Sequence, residues 1–467
     1  MRLILFGTGE YYQRYKIWFE TEEVCALADN SMGKWGTYID NKLVISPDKI
    51  NKYNYDAIFV LTFAIKDITE QLLELGVDRA SIYTFYDIHR MLYKPFKRKK
   101  IYFFNSQNKE IGNKKIALMN SDLVMGGPAL ALFNMAKILK KNGYSVTYAS
   151  MVDGPLRETL IENGFTVIVD NNLLAETMSD NEWINEFSMV ICNTINYHVF
   201  LSERNTKIPV IWWLHDPPFF YEVSNKKAIE QIDTKNLHVY TVGDIARNAI
   251  INYRPDFQTK NLLYGVEENI VEGIKGHHTN KNKVKFITIG FIEPHKGQDI
   301  LVKAIRELPY NIKSKCEFIF VGKNVSLYAE QLQKAVRDIP EIQFTGRISH
   351  AEIHNLLDES DVLICPSRQD CMPTVCAEAM MHSLPCLVSD TTGIVPYITA
   401  ECGRIFKSED IEDLKQYIMW FVENSEMLES MGKMGRRVFQ QTFSMNAFEG
   451  NVMQIIKSVL DDIDIKK

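Results

Sequence analysis

The chain has no C-x-x-C pair among its eight cysteines, which are scattered or embedded in apolar runs. That argues against structural zinc and a disulfide framework, and suits a reducing compartment. No stretch approaches the ~18 consecutive apolar residues of a membrane span. No secretory leader is visible, because Met1 to Phe6 leads straight into a glycine-rich turn. Positive charge is not in excess: 53 Lys and Arg stand against 59 Asp and Glu, a formal net charge of −6. This argues against a nucleic-acid binder, whose affinity comes largely from neutralising phosphates. Repeats of solenoid length are also missing. What is present, 46% apolar and 24% charged residues over 467 positions, is the composition of a soluble globular protein with two or three domains. A cytoplasmic protein is expected.

One stretch organises the chain: CPSRQDCMPTVCAEAMMHSLPCLVSDTTG, Cys365 to Gly393. The apolar run VLIC before Pro366 reads as a strand that delivers Ser367 to Thr374 as a loop. From Val375 the composition favours helix, with Pro373 near its start, where a missing N–H costs little. Backbone N–H groups at such a start suit a diphosphate. Asp370 and Glu378, with seven residues between them, stand in the loop and inside the helix. Both carboxylates can face one cleft and accept hydroxyls from a sugar and a ribose. The alternative is an ordinary βαβ unit with solvated charges.

Strand and helix patterns alternate along the rest of the chain, which argues parallel α/β units. RLILF, Gly7-Thr8-Gly9 and a strand ending in Asp29 are similar to a dinucleotide-binding fingerprint without its third glycine, since position 12 is Tyr12. This block, residues 1–93, reads as a small Rossmann-like module, either sensing a nucleotide or docking a partner. The basic stretch from Lys94 to Lys100 reads as a linker, extending over 94–114. Weak attraction to an anionic membrane surface is the second reading. A new series starts at Lys115. Gly126-Gly127 before Pro128 fits a turn that lets backbone approach a ligand. His215 ends the strand-like PVIWWLH and is either a capped structural histidine or a site residue, since open parallel sheets bind ligands beyond their strand ends. Residues 115–271 form this half, the polar segment 272–283 a hinge, 284–442 a second half, and 443–467 a terminal helix. His350 and His354 lie four apart without an H-E-x-x-H pattern, so no metal is assigned.

The stretch around Asp370 resembles the nucleotide-binding signature of retaining glycosyltransferases of family four, PS-x-x-E-x-x-P-x-x-x-x-E-A-M-x-x-G-x-P. Pro366, Ser367, Pro373, Glu378, Ala379, Met380 and Pro385 match it, while Asp370 replaces a glutamate and Ser383 a glycine. The resemblance, over about 115 to 467, implies a GT-B fold: two Rossmann-like parallel-sheet domains facing a cleft, preceded here by the small α/β module. Where relatives carry G-R-x-x-x-x-K-G, this chain keeps Gly290, Lys296 and Gly297 but has Phe291 for the arginine. His295 and Arg368 are candidate substitutes for the missing cation.

The resemblance implies transfer of a hexose from a nucleotide-diphosphate sugar, a UDP-sugar favoured, to a hydroxyl acceptor in cell-surface polysaccharide or glycoconjugate synthesis. His215 and Asp370 are expected at the transferred sugar. Gly126, Gly127, Lys296, Cys371, Met372, Pro373, Thr374, Val375 and Glu378 are expected to hold the donor, with Glu378 on the ribose. No cofactor and no metal are expected. The partners implied are a nucleotide sugar and a glycan or lipid-linked acceptor, with peripheral contact at the inner face of a membrane and no nucleic acid. The alternatives are a GT-B sugar-nucleotide epimerase and a catalytically worn accessory subunit, which Phe291 and Asp370 keep open.

Overall fold

The computed structural model describes residues 1–62, 64–85, 87–88, 101–104, 114–170, 172–174, 176–222, 224–268, 283–322 and 327–464. The basic stretch at 94–100 lies outside the described residues, as does the hinge at 272–283 except for Lys283. Among the described residues, three sheets carry the fold.

The first sheet is built from β1 (Arg2–Phe6), β2 (Glu23–Ala28), β3 (Tyr38–Ile39), β4 (Lys42–Ile45), β5 (Ala57–Val60) and β6 (Ile82–Thr84), in the order β3-β4-β2-β1-β5-β6. All pairs are parallel except β3 with β4. One buried cluster joins this module to the next domain: Tyr12, Trp18, Phe19, Phe85 and Ile88 belong with Met119, Cys192, Tyr197 and Trp212. The module is thus part of a continuous core.

The second sheet holds β7 (Ile101–Phe104), β8 (Lys115–Asp122), β9 (Ser145–Val152), β10 (Thr166–Asp170), β11 (Met189–Asn193), β12 (Val210–Leu214), β13 (Leu237–Thr241) and β14 (Thr259–Asn261). Their order is β14-β13-β12-β11-β8-β9-β10-β7. β7 is a correction to the sequence reading, which placed 101–104 inside a linker. Its apolar, aromatic IYFF pairs antiparallel with β10 and closes one edge of the sheet. In β12, VIWWL, every residue is buried. Trp212 enters one core cluster and Trp213 another, because successive side chains of a strand point to opposite faces.

The third sheet holds β15 (Val284–Ile289), β16 (Cys316–Val321), β17 (Ile342–Gly346), β18 (Val362–Cys365), β19 (Cys386–Ser389) and β20 (Gly403–Phe406), all parallel, in the order β17-β16-β15-β18-β19-β20. β20 closes one edge of this sheet. Its four residues pair with β19 before the helix Ile411–Glu423 begins. The terminal helix Met445–Asp464 reaches back to the second sheet: Phe448 stacks on Trp213 at 5.7 Å, and Glu449 pairs with Lys141 at 2.7 Å.

Strand order reverses between β8 and β11 in the second sheet and between β15 and β18 in the third. Such switch points open a crevice beyond the carboxyl ends of the strands, because the loops there diverge to opposite sides. The loops after β8, β15 and β18 carry Gly126-Gly127, Lys296 and Asp370.

Candidate active site

The loop after β18 is locked by its neighbours. Gly297 sits at φ 68°, where L side chains are disfavoured, and a Cβ there would collide with the carbonyl oxygen of Pro366. The Arg368 N–H donates to the His295 carbonyl at 2.8 Å. On the other side the Gly393 N–H donates to the Asp370 carbonyl at 2.8 Å, and Thr391 Oγ1 to the Ser367 carbonyl at 3.0 Å. A side chain at Gly393 would strike the Cys371 carbonyl. The Thr391-Thr392-Gly393 loop therefore buttresses the site.

The helix Thr374–Met381 follows, with Pro373 at its N-cap and no side-chain cap. By contrast, Ser349 and Glu352 form a capping box at the helix His350–Glu359. The first turn of the Thr374 helix thus keeps its N–H groups uncapped by a side chain, which suits an anion. Met372 N–H is the exception before it, donating to Asp370 Oδ1 at 3.3 Å.

Lys296 and Asp370 meet: Nζ lies 2.6 Å from Oδ2. Burial works against the ammonium, but the Asp370 carboxylate outweighs it and raises the Lys296 pKa. Neither candidate substitute adds a second cation for a diphosphate. Burial, with Lys296 beside it, pushes His295 down to about 4. Arg368 forms two bonds to Asp299, at 2.7 and 2.9 Å, and pairs with Glu409. Phe291 is 57% exposed at the position of the expected arginine.

The second sheet supplies the facing wall. A Cβ on Gly127 would stand 3.8 Å from the Thr374 methyl, so this glycine lies against the start of the signature helix. Gly126 has φ −116° and open space around it, so its value is room and not a special conformation. Tyr264 OH donates to the Met372 carbonyl at 3.2 Å. The His215 ring lies 4.4 Å from the Trp213 ring and tilted to it by 59°, and its buried Nε2 meets no hydrogen-bond partner among the described residues. Burial pushes its pKa down to about 3, so it is a neutral ring. Such an orphaned nitrogen is one that a ligand hydroxyl could complete.

Asp216 was not singled out by the sequence reading. It is buried, accepts the Ile195 N–H at 2.6 Å, and is pushed up to about 7 by burial against that bond. The signal available was an acidic residue directly after a buried strand. Glu378 lies 3.5 Å from His350 Nε2 across two helices and is not within the Lys296–Asp370 pair.

In the small module, Asp29 accepts from Thr8 N–H at 3.0 Å, Ser31 N–H at 2.8 Å and Lys34 Nζ at 3.0 Å, and from the Thr8 hydroxyl. These bonds outweigh burial and hold its pKa low. The carboxylate that a dinucleotide fingerprint would aim at a ribose is engaged within the module.

Residues 272–438 match the family model for glycosyl transferases group 1, residues 112–241 that for glycosyl-transferase family 4, and residues 1–83 that described as C2185-like, N-terminal. An uncharacterized glycosyltransferase of Methanocaldococcus jannaschii is 22% identical over 351 residues, 72% of this chain and 96% of that protein. A GDP-mannose-dependent monoacylated alpha-(1-6)-phosphatidylinositol monomannoside mannosyltransferase of Corynebacterium glutamicum is 21% identical over 173 residues, 35% of this chain and 45% of its own length. The crystal structure of Anabaena HepE in complex with UDP and glucose superposes with a TM-score of 0.62 at 17% identity, covering 74% of this chain and 100% of its own. That likeness is one of fold.

Proposed function

We propose that this chain, which is built as a GT-B glycosyltransferase, moves a hexose from a nucleotide-diphosphate sugar to a hydroxyl acceptor with retention at the anomeric carbon. The observation that carries this reading is the Lys296–Asp370 pair, 2.6 Å apart on adjoining switch-point loops, set before an uncapped helix start. Charge growing on a leaving diphosphate needs fixed donors in a cleft shielded from water. Lys296 and the N–H groups of Thr374 and Val375 supply them. Asp370 then accepts from the sugar hydroxyls, Glu378 from the ribose, and His215 Nε2 completes its bonding on the transferred sugar. Holding the donor in one pose is the second contribution to rate.

A UDP-sugar is the donor we favour, supported by similar folds solved in complex with UDP and glucose and with UDP-glucose. The acceptor we propose is a growing cell-surface glycan or a lipid-linked one, a class that the phosphatidylinositol monomannoside in the name of the Corynebacterium relative supports. Among the described residues no helix is long and apolar enough to cross a membrane. We place the protein in the cytoplasm, with peripheral contact at the inner face of a membrane. The exposed Phe291, standing where an arginine is expected, favours one rival reading, a worn accessory subunit.

Calorimetric titration of nucleoside diphosphates, followed by donor turnover with and without acceptors, tests the proposal. A transferase needs the acceptor, an epimerase turns over the donor alone, and a worn subunit does neither. Either of the last two outcomes overturns it.

A further inference from the structure

Two helices on the third sheet meet through a line of five titratable side chains. The helix His350–Glu359 presents His350, His354 and Asp358, each one turn after the last. The helix Thr374–Met381 contributes Glu378, and its C-cap contributes His382, again four residues on. The side chains interleave. Glu378 Oε1 lies 3.5 Å from His350 Nε2, and His350 Nδ1 lies 3.1 Å from His354 Nε2. His354 Nδ1 lies 2.7 Å from His382 Nε2, and His382 Nδ1 lies 2.7 Å from Asp358 Oδ1. His354 and His382 are buried, whereas the His350 side chain is 57% exposed.

Counting protons along this line fixes its state. Each of the contacts needs one hydrogen between its heavy atoms, and each neutral imidazole brings one hydrogen. Four contacts and three rings leave the line one proton short. The missing proton goes to a ring and not to a carboxyl, because imidazole is the stronger base by more than two pKa units. With Asp358 fixing a hydrogen on His382 Nδ1, the neutral rings all point their hydrogens the same way. His350 Nε2 then faces the Glu378 carboxylate with a lone pair. Adding one proton at His350 turns that repulsion into a charge-assisted bond.

We infer that Glu378, His350, His354, His382 and Asp358 form one wire that shares a single extra proton, and that this proton sets the pose in which Glu378 receives the donor's ribose. The second half of the inference rests on the donor-site reading above; the first does not. Other charged groups around the wire agree with the placement. Glu378, with Glu267 adding to it, raises His350 against burial, whereas burial, His350 and His382 lower His354. Glu267 is itself paired with Lys137, and Arg436 donates to the Met381 carbonyl at 2.7 Å, beside His382. The charge thus settles at the end of the wire next to Glu378. His350, His354 and His382 are positioning residues: they act on the donor through Glu378.

The line is designed by spacing, not by a motif. H-x-x-x-H-x-x-x-D on one helix and E-x-x-x-H on the next place side chains on facing stripes, and only their packing interleaves them.

The test has two readouts on the full chain. Binding of UDP-glucose and GDP-mannose, neither of which titrates between pH 6 and 8.5, is measured calorimetrically over about that range. Wild type should lose roughly tenfold in affinity as the wire gives up its proton, the change that follows from a one-unit coupled shift. His350→Gln keeps an N–H facing Glu378 at every pH and should show no such loss. Identical profiles for both proteins overturn the coupling to the donor. The second readout is the imidazole 15N shifts of the protein by itself. One cationic ring and joint titration of the three histidines are expected. Three rings titrating independently at ordinary values overturn the wire. Failure of both sugar nucleotides to bind at any pH counts against the donor-site reading, and the 15N titration still decides the wire.

Discussion

Lys296 Nζ and Asp370 Oδ2 lie 2.6 Å apart although 74 positions separate them in the chain. The cation expected on the diphosphate and the carboxylate expected on the sugar therefore balance each other at the crevice. Their contributions to donor binding should differ in sign. Lys296→Ala should weaken nucleoside diphosphate binding by about 1.5–3 kcal/mol, the worth of a charge-assisted contact. Asp370→Asn releases Lys296 and should bind the same ligand at least as tightly. Its turnover should fall about 10²-fold, since the sugar loses its attack geometry. Calorimetry alongside donor turnover separates the two effects. Unchanged affinity in Lys296→Ala would put the diphosphate elsewhere.

Because Lys296 and the Thr374 helix start are assigned the leaving-group charge, transfer should survive excess chelator. Activity lost to EDTA and restored only by manganese or magnesium would count against this arrangement.

Asp216 makes the stability of the chain depend on pH in a definite direction. Its folded pKa of about 7 stands above the ordinary carboxyl value of 3.8. Below about pH 4 the carboxyl is protonated in both states and contributes nothing to the difference. Between about pH 4 and 7 the unfolded chain releases the proton while the folded chain keeps it, so stability falls as pH rises. Above 7 the loss is complete, at roughly 4 kcal/mol. Asp216→Asn removes it. Thermal unfolding should show the variant gaining on wild type from pH 4 to 7 and holding a constant lead beyond. A difference that does not change with pH would mean the carboxyl is ionised in the folded protein.

The small module shares its buried cluster with the second sheet, so removing it takes Tyr12, Trp18, Phe19, Phe85 and Ile88 out of that cluster and re-exposes apolar surface of the second domain. A chain beginning just before Ile101 retains β7 and all the proposed donor-site residues. It should unfold at lower temperature and associate more readily, since each large apolar side chain re-exposed costs about 1.5–3 kcal/mol. Nucleoside diphosphate affinity should persist. Light scattering and calorimetry check the two halves of this expectation. A monodisperse, folded truncation that no longer binds nucleotide would make the module part of the site.

The sequence by itself determined the alternation of strands and helices, because hydrophobic period and turn residues act over a few positions. It also determined which loops follow buried strands, and hence that Gly126-Gly127, His215, Lys296 and Asp370 stand at strand ends. Local composition was less informative at edges. IYFF at 101–104 became β7 only because β10 offered an unpaired side, and Gly403–Phe406 became β20 beside β19.

Tertiary structure alone decided the partners. Arg368 reads as a free cation near the signature until Asp299 and Glu409 converge on it from other segments. His215 and Asp216 are neighbours in sequence, yet burial pushes one pKa down and the other up, because desolvation opposes whichever form is charged. The spacing of His350 and His354 was visible, but His382 joins them from another helix, and no period along one segment reports a facing stripe on the next. Charge, burial and proton count are properties of the packed whole.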